Sequence, residues 1–215
     1  MESEIIAMIA KKQIVLIGTD QKGFYSTISD VLSELNDIEV MGCIDNILKG
    51  REGQLMGGYT ILGATDDLEK IPLPSKNFFI AISDNQSRKM IADRIEKLGG
   101  TLVTLVHPSA SISKNVALGK GVFVGSGARI GIHCVLGNAS ILDEGAIVQH
   151  TSKIGNFAYI AAGAKISSRV VVGDCSFLGI GSSVLPDIDI GSGVMIGPNT
   201  VVASNVPSGK TMIDY

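Results

Sequence analysis

From Val106 onward an aliphatic residue recurs at every sixth position without an insertion: Val106, Ile112, Leu118, Val124, Ile130, Leu136, Leu142, Val148, Ile154, Ile160, Ile166, Val172, Leu178, Val184, Ile190, Ile196 and Val202. The residue after it is often glycine, as at Gly119, Gly125, Gly131, Gly137, Gly155, Gly173, Gly179, Gly191 and Gly197. The residue four after it is small or β-branched in most repeats, for example Ala128, Ala146, Ala158, Ala164, Ser176, Ser182 and Thr200. A period of six cannot be one face of an α-helix, whose period is about 3.6. It fits a short strand followed by a turn, three such units closing a triangular coil, and hexapeptide periodicity marks a parallel β-helix. Positions eighteen apart then stack directly, and with coils roughly 4.8 Å apart the prism is roughly 27 Å long. The aliphatic fills the interior, the small residue sits where the walls converge, and glycine is expected to relieve the tight corner. No coil can bury its own face alone, so the stack is the folding unit.

A chain of 215 residues suggests one large or two small domains. With 45% apolar and 18% charged residues it reads as a soluble, well-cored protein. The net charge of −3 and the lack of a basic stripe argue against a nucleic-acid partner. No apolar run approaches the roughly 20 residues of a membrane span. The opening MESEIIAMIAKK lacks the basic n-region and small-residue cleavage site of a secretory signal. Cys43, Cys134 and Cys175 show no CxxC spacing, and Cys134 falls at a small-residue place of its repeat, where packing is its expected role. The expected location is a reducing cytoplasm.

Before Thr104 there is no hexapeptide. Lys12–Ile17 reads as a buried strand ending at Gly18, Phe24–Leu35 as a helix, Glu39–Ile44 as a second strand, Asn77–Ile82 as another, and Gln86–Leu98 as a helix stopped by Gly99-Gly100. Leu102–Val106 leads into the prism. Alternating strand and helix predicts a small parallel α/β sheet over 1–103, ahead of the β-helix over 104–215. Ligands of such sheets bind beyond the carboxyl ends of the strands, which here carry Gly18–Gly23, Asp45-Asn46 and Ser83–Asn85. The first loop, GTDQKG, is not GxGxxG and by itself is equally a plain strand-to-helix turn.

Three histidines exist, His107, His133 and His150, at the second, fourth and third places of their repeats. Their separations are not multiples of eighteen, so they do not stack in one column, and no metal is expected. The repeat resembles the hexapeptide-repeat, left-handed β-helix acyltransferase signature, and the left hand of the coil is implied by that resemblance. A small α/β domain joined directly to it resembles the sugar acetyltransferases of the sialic-acid and bacillosamine type. The resemblance runs over nearly the whole chain. GTDQKG stands where that family usually reads GASGHG, CIDN resembles its acidic strand end, GYTILGATDDL resembles G-x-P-V-L-G-x-x-x-D-L, and FFIAISDNQSRKMI resembles FFIAIGxNxxR. AIVQHTSKIGNFAYIAAGA resembles the segment AIVEHDCVIGDFVHIAPGA.

What the resemblance implies is an acetyl-CoA-dependent transfer to the 4-amine of a UDP-linked amino sugar, with His150 as the general base. An attacking amine or hydroxyl must lose a proton, and neutral imidazole suits that near pH 7. The family's acid after the base is Thr151 here, and its second histidine is Tyr159. One of the two carboxylates Asp143 and Glu144 is the expected replacement for the missing acid, delivered from a neighbouring subunit because units one repeat apart lie on different faces. The resemblance carries Tyr159, Ser168, Ile180 and Pro198 onto acetyl-CoA positions, and Gly18, Lys22, Asp45, Asn46 and Ser83 onto nucleotide-sugar positions. It also implies a homotrimer. Two other readings stand beside this one: O-acetylation of a sialic-acid-like sugar, for which the altered GTDQKG loop speaks, and a non-catalytic trimeric β-helix scaffold, for which Thr151 and Tyr159 speak.

Overall fold

The computed structural model describes residues 11–18 and 24–213. Its packing forms two units: Met1–Ile82 with Asp93–Val103, and Ser83–Ala92 with Thr104–Tyr215. The segment Ser83–Ala92 therefore groups with the repeat rather than with the strands that precede it.

The first unit is built on β1 (Lys12–Ile17), α1 (Phe24–Glu34), β2 (Ile38–Ile44), β3 (Leu55–Met56), β4 (Tyr59–Gly63), β5 (Asn77–Ile80) and β6 (Thr101–Leu102). The strands lie in the order β3-β4-β2-β1-β5-β6. Ile14, Val15, Leu16 and Ile17 of the central strand are wholly buried, as a continuous apolar run in a sheet covered on both faces should be. α1 presents Phe24, Ile28, Val31 and Leu32 to that core, the spacing of one helical face. All neighbouring strands pair in parallel except β3 with β4. That antiparallel edge corrects the expectation of a purely parallel sheet. Its cause is the turn Gly57-Gly58, both at positive φ (55° and 87°), a geometry that closes a tight hairpin.

The second unit has three parallel sheets of seven, six and five strands. The first face holds Phe123–Val124, Ile141–Leu142 and Tyr159–Ile160, the second Arg129–Ile130, Ile147–Val148 and Lys165–Ile166, the third Val135–Leu136, Lys153–Ile154 and Val171–Val172. Partners lie eighteen residues apart, Phe123 on Ile141, Arg129 on Ile147 and Val135 on Lys153. The fold expected from the sequence, an α/β domain followed by a left-handed parallel β-helix, is the fold found. The repeating aliphatics and the small residues four places on form one continuous core. Cys134 is among them, its thiol donating to the Gln149 carbonyl of the next coil at 2.9 Å. The last coil is shorter: Ile190 bridges Val206 and Met195 pairs with Thr211, sixteen residues on in each case.

The glycine after the aliphatic has a different role from the one expected. A Cβ on Gly131 would lie 2.6 Å from the backbone nitrogen of His150, and one on Gly137 2.5 Å from that of Asn156. Glycine is needed there because successive coils touch. The corner itself is turned two residues later by a residue at positive φ, among them His133 (61°), Ala139 (48°), Thr151 (62°), Phe157 (57°), Arg169 (58°) and Cys175 (57°).

Those left-handed corners leave backbone carbonyls facing outward, and the segment Ser83–Ala92 collects three of them. Here begins α2 (Asn85–Lys97), capped by Asp84, which accepts from Ser87 N–H at 2.7 Å. Arg88, 1% exposed, donates to the carbonyls of Ala139 (2.8 Å) and Phe157 (2.7 Å). Asn85 donates to those of Cys175 (3.0 Å) and Ser176 (3.2 Å). Ala139, Phe157 and Cys175 hold the same corner of three successive coils.

Candidate active site

Along the second face a groove of about 390 Å³ is lined by Ser111, Ser113, Arg129, Ile147, Gln149 and His150 among others. Its outward positions, Arg129 and Lys165, are exposed, whereas Phe123, Ile141 and Tyr159 on the first face are buried. His150 stands at the corner that follows Ile147–Val148, held from below by Gly131, and is exposed. Thr151, the next residue, turns that corner at positive φ.

The imidazole has two neighbours. Nε2 lies 2.8 Å from the hydroxyl of Ser168, which is directly one coil further on. Nδ1 lies 3.4 Å from the hydroxyl of Thr151, too long for a strong hydrogen bond. The Ser168 hydroxyl also donates to the side-chain oxygen of Gln149 at 3.1 Å. Among the described residues no carboxylate reaches the ring.

Asp143 follows the strand Ile141–Leu142, at the corner between the first and second faces. It accepts the Tyr159 hydroxyl at 2.8 Å and the backbone N–H of Glu144 at 2.9 Å. Within one chain, Asp143 and Tyr159 therefore form a pair apart from His150. Burial, and after it the charge of Asp143, pushes the Tyr159 phenol well above its ordinary range, so it stays neutral and donates. Tyr159 packs edge-on against Phe177, with ring centroids 5.4 Å apart. Both line a second cavity of about 420 Å³ with Ser83, Asn85, Cys175 and Met195.

The four residues expected to hold acetyl-CoA divide. Ile180 and Pro198 stack on adjacent coils at the corner that Asp143 also occupies, and both are exposed. Ser168 is 93% buried against His150 at another corner. Of the residues expected to hold the nucleotide sugar, Lys22 lies outside the described residues. Gly18, at φ 83°, follows β1, where a Cβ would meet the Ile82 side chain at 2.3 Å. Its N–H donates to Ile44, which brings it beside Asp45. Asp45 caps the short helix Asn46–Leu48 by accepting from Ile47 N–H at 3.1 Å. Asn46 exchanges two hydrogen bonds with Asp66, at 2.9 and 3.0 Å. These three sit together at strand ends, yet Asp45 and Asn46 also serve the loop's own structure. Ser83 is exposed and accepts Arg88 through its carbonyl. Sequence reasoning did not single out Gln149 or Arg129, whereas the eighteen-residue stacking of the repeat already puts Ser168 in the column above His150.

Two stretches of the chain match domain families. Residues 13–95 match the PglD N-terminal domain, and residues 169–204 match the bacterial transferase hexapeptide (six repeats). The chain is homologous to sugar N-acetyltransferases of the bacillosamine and perosamine kind. It is 28% identical over 113 residues to the UDP-N-acetylbacillosamine N-acetyltransferase of Bacillus subtilis, a match covering 53% of this chain and 51% of that one. The match thus spans about half the length of the curated relative. The acetyltransferase domain of PglB from Neisseria gonorrhoeae superposes with a TM-score of 0.84 at 26% identity, over 94% of this chain and 96% of that one. PerB from Caulobacter crescentus, solved in complex with CoA and GDP-perosamine, superposes with a TM-score of 0.84 at 27% identity, over 95% of each chain.

Proposed function

We propose that this protein is an acetyl-CoA-dependent N-acetyltransferase acting on the 4-amine of a nucleotide-linked amino sugar, in the cytoplasmic synthesis of a surface glycan. The observation that carries the reading is His150, exposed at a coil corner over an open groove, in a chain that superposes along 95% of its length on PerB with CoA and GDP-perosamine bound. In the reaction the amine lone pair attacks the thioester carbonyl and a C–N bond forms. The His150 imidazole accepts the proton released from nitrogen, the C–S bond breaks, and the CoA sulfur leaves and is protonated. No acyl-enzyme is required when both substrates are bound together, so a nucleophilic side chain is not needed.

The site is completed by a second copy of the chain. Within one chain His150 stands at one corner, while Asp143, Tyr159, Ile180 and Pro198 gather along another. A neighbouring copy presenting that second corner to His150 would join base, acid and an apolar ledge for the pantetheine arm; a homotrimer closes such a head-to-tail contact. Gly18, Asp45 and Asn46 would hold the nucleotide sugar beyond the strand ends, with Lys22 on a phosphate. The test is acceptor-dependent release of CoA from acetyl-CoA with UDP- and GDP-linked 4-amino sugars. Transfer to sugar hydroxyls alone would move the reading to O-acetylation, and a folded protein without CoA affinity would leave the scaffold.

A further inference from the structure

His150 lacks the acidic neighbour that would ordinarily set which of its nitrogens carries hydrogen, because the flanking residues are Gln149 and Thr151. Neutral imidazole has one donor nitrogen and one acceptor nitrogen, and the choice is made by what each nitrogen faces. Nε2 faces the Ser168 hydroxyl at 2.8 Å. A hydroxyl has one hydrogen to give. Here the Gln149 side-chain oxygen, 3.1 Å away, can only accept, so that hydrogen goes to Gln149. The lone pairs of Ser168 are then left for Nε2, and the contact is favourable only when Nε2 bears hydrogen. On the other side Thr151 can donate weakly to Nδ1 across 3.4 Å, which agrees with a bare Nδ1. Ser168 is 93% buried, so water cannot readily replace it in this chain of contacts.

We infer that Ser168, itself oriented by Gln149, is a positioning residue that holds His150 as the Nε2–H tautomer and makes Nδ1 the proton acceptor. Its catalytic meaning rests on His150 being the base; the tautomer itself does not. The column that stacks positions eighteen apart brings the hydroxyl to the ring, so within one chain the tautomer is set by a hydroxyl from the next coil rather than by an acid next to the base in sequence.

The experiment is nitrogen NMR of the full protein labelled in its three histidines, at a pH where the imidazoles are neutral, with His150→Gln used to identify the His150 signals. The wild type is expected to show a pyrrole-type Nε2 and a pyridine-type Nδ1. Ser168→Ala should give the averaged signals of a tautomer mixture, and Ser168→Thr, which keeps the hydroxyl, should restore the wild-type pattern. In acetyl transfer Ser168→Ala should lower kcat about tenfold with KM held, the rate equivalent of one hydrogen bond, and Ser168→Thr should recover it. A wild-type His150 in the Nδ1–H form, or signals unmoved in Ser168→Ala, overturns this role of Ser168 even if transfer is seen. The expected tautomers without transfer to any acceptor uphold that role and overturn the acetyltransferase reading instead.

Discussion

The side-chain oxygen of Asn85 accepts from Nη2 of Arg88 at 2.7 Å, and this pair, three residues apart on one helix, holds the same corner of three successive coils. The two residues are the N and R of the FFIAISDNQSR stretch. Burial lowers the Arg88 guanidinium to about 10, and its planar fork donates to the carbonyls of Ser83, Ala139 and Phe157.

Arg88→Met should therefore strand the Ala139 and Phe157 carbonyls and lower stability by about 3 kcal/mol or more. Arg88→Lys should lose nearly as much, since one ammonium cannot span the carbonyls that the fork reaches. Urea unfolding of the three proteins checks this, and midpoints that coincide would show that the clasp contributes nothing.

Gly131→Ala should act on His150, the proposed base, through its backbone rather than through its imidazole. The added methyl would meet the His150 backbone nitrogen at 2.6 Å and the Gln149 carbonyl carbon at 2.9 Å. The coil carrying His150 must then shift, with an expected loss of roughly 1–3 kcal/mol from overpacking. Thermal unfolding measures the first effect. Acetyl transfer below that of an equally destabilised variant elsewhere measures the displacement of the base.

Thr151 is β-branched and yet turns its corner at φ 62°. Asparagine tolerates that conformation far better. Thr151→Asn should raise stability by about 1 kcal/mol as backbone strain is relieved. A lower melting temperature in this variant would mean that the threonine hydroxyl matters more than its strain.

In the first unit, Glu69 accepts from Arg94 at 2.7 and 2.5 Å. Arg94's hydrogen bond holds its carboxyl down to about 2, below the ordinary 4.5. The folded state thus binds this proton less readily than the unfolded chain. The stabilisation is complete above pH 4.5 and disappears as pH falls toward 2. Glu69→Gln should be less sensitive to acid over that window, with the difference reduced by the exposure of the pair. Parallel stability curves for the two proteins between those limits would contradict the assignment.

The repeat was legible because its period is set by covalent geometry: the aliphatics from Val106 to Val202 all lie in the strands where the spacing puts them. Leu55–Met56 and Tyr59–Gly63 were not legible, because two-residue pairing across Gly57-Gly58 leaves too short an apolar pattern. The glycine at the second place was visible and its cause was not, since coil-to-coil approach is a contact between residues nineteen apart, as Gly131 with His150. His150 could be singled out by the motif around it, and the eighteen-residue stacking puts Ser168 above it, but the direct contact of hydroxyl and ring could not be read. Motif reading looks along the chain to Thr151, whereas the hydroxyl that reaches the ring at 2.8 Å comes from Ser168 on the next coil. The binding of Arg88 to corner carbonyls was likewise invisible, because carbonyls carry no sequence signal.

The central claim is that His150 takes a proton from an amino sugar as acetyl leaves CoA. Its most direct test is release of CoA from acetyl-CoA with a panel of UDP- and GDP-linked 4-amino sugars, wild type beside His150→Ala. The account predicts release that depends on one of these amines and falls by about 10²–10⁴ in the variant, the scale of a lost general base. Acceptor-dependent release undiminished in His150→Ala, or none from a folded wild type that binds acetyl-CoA, would contradict it.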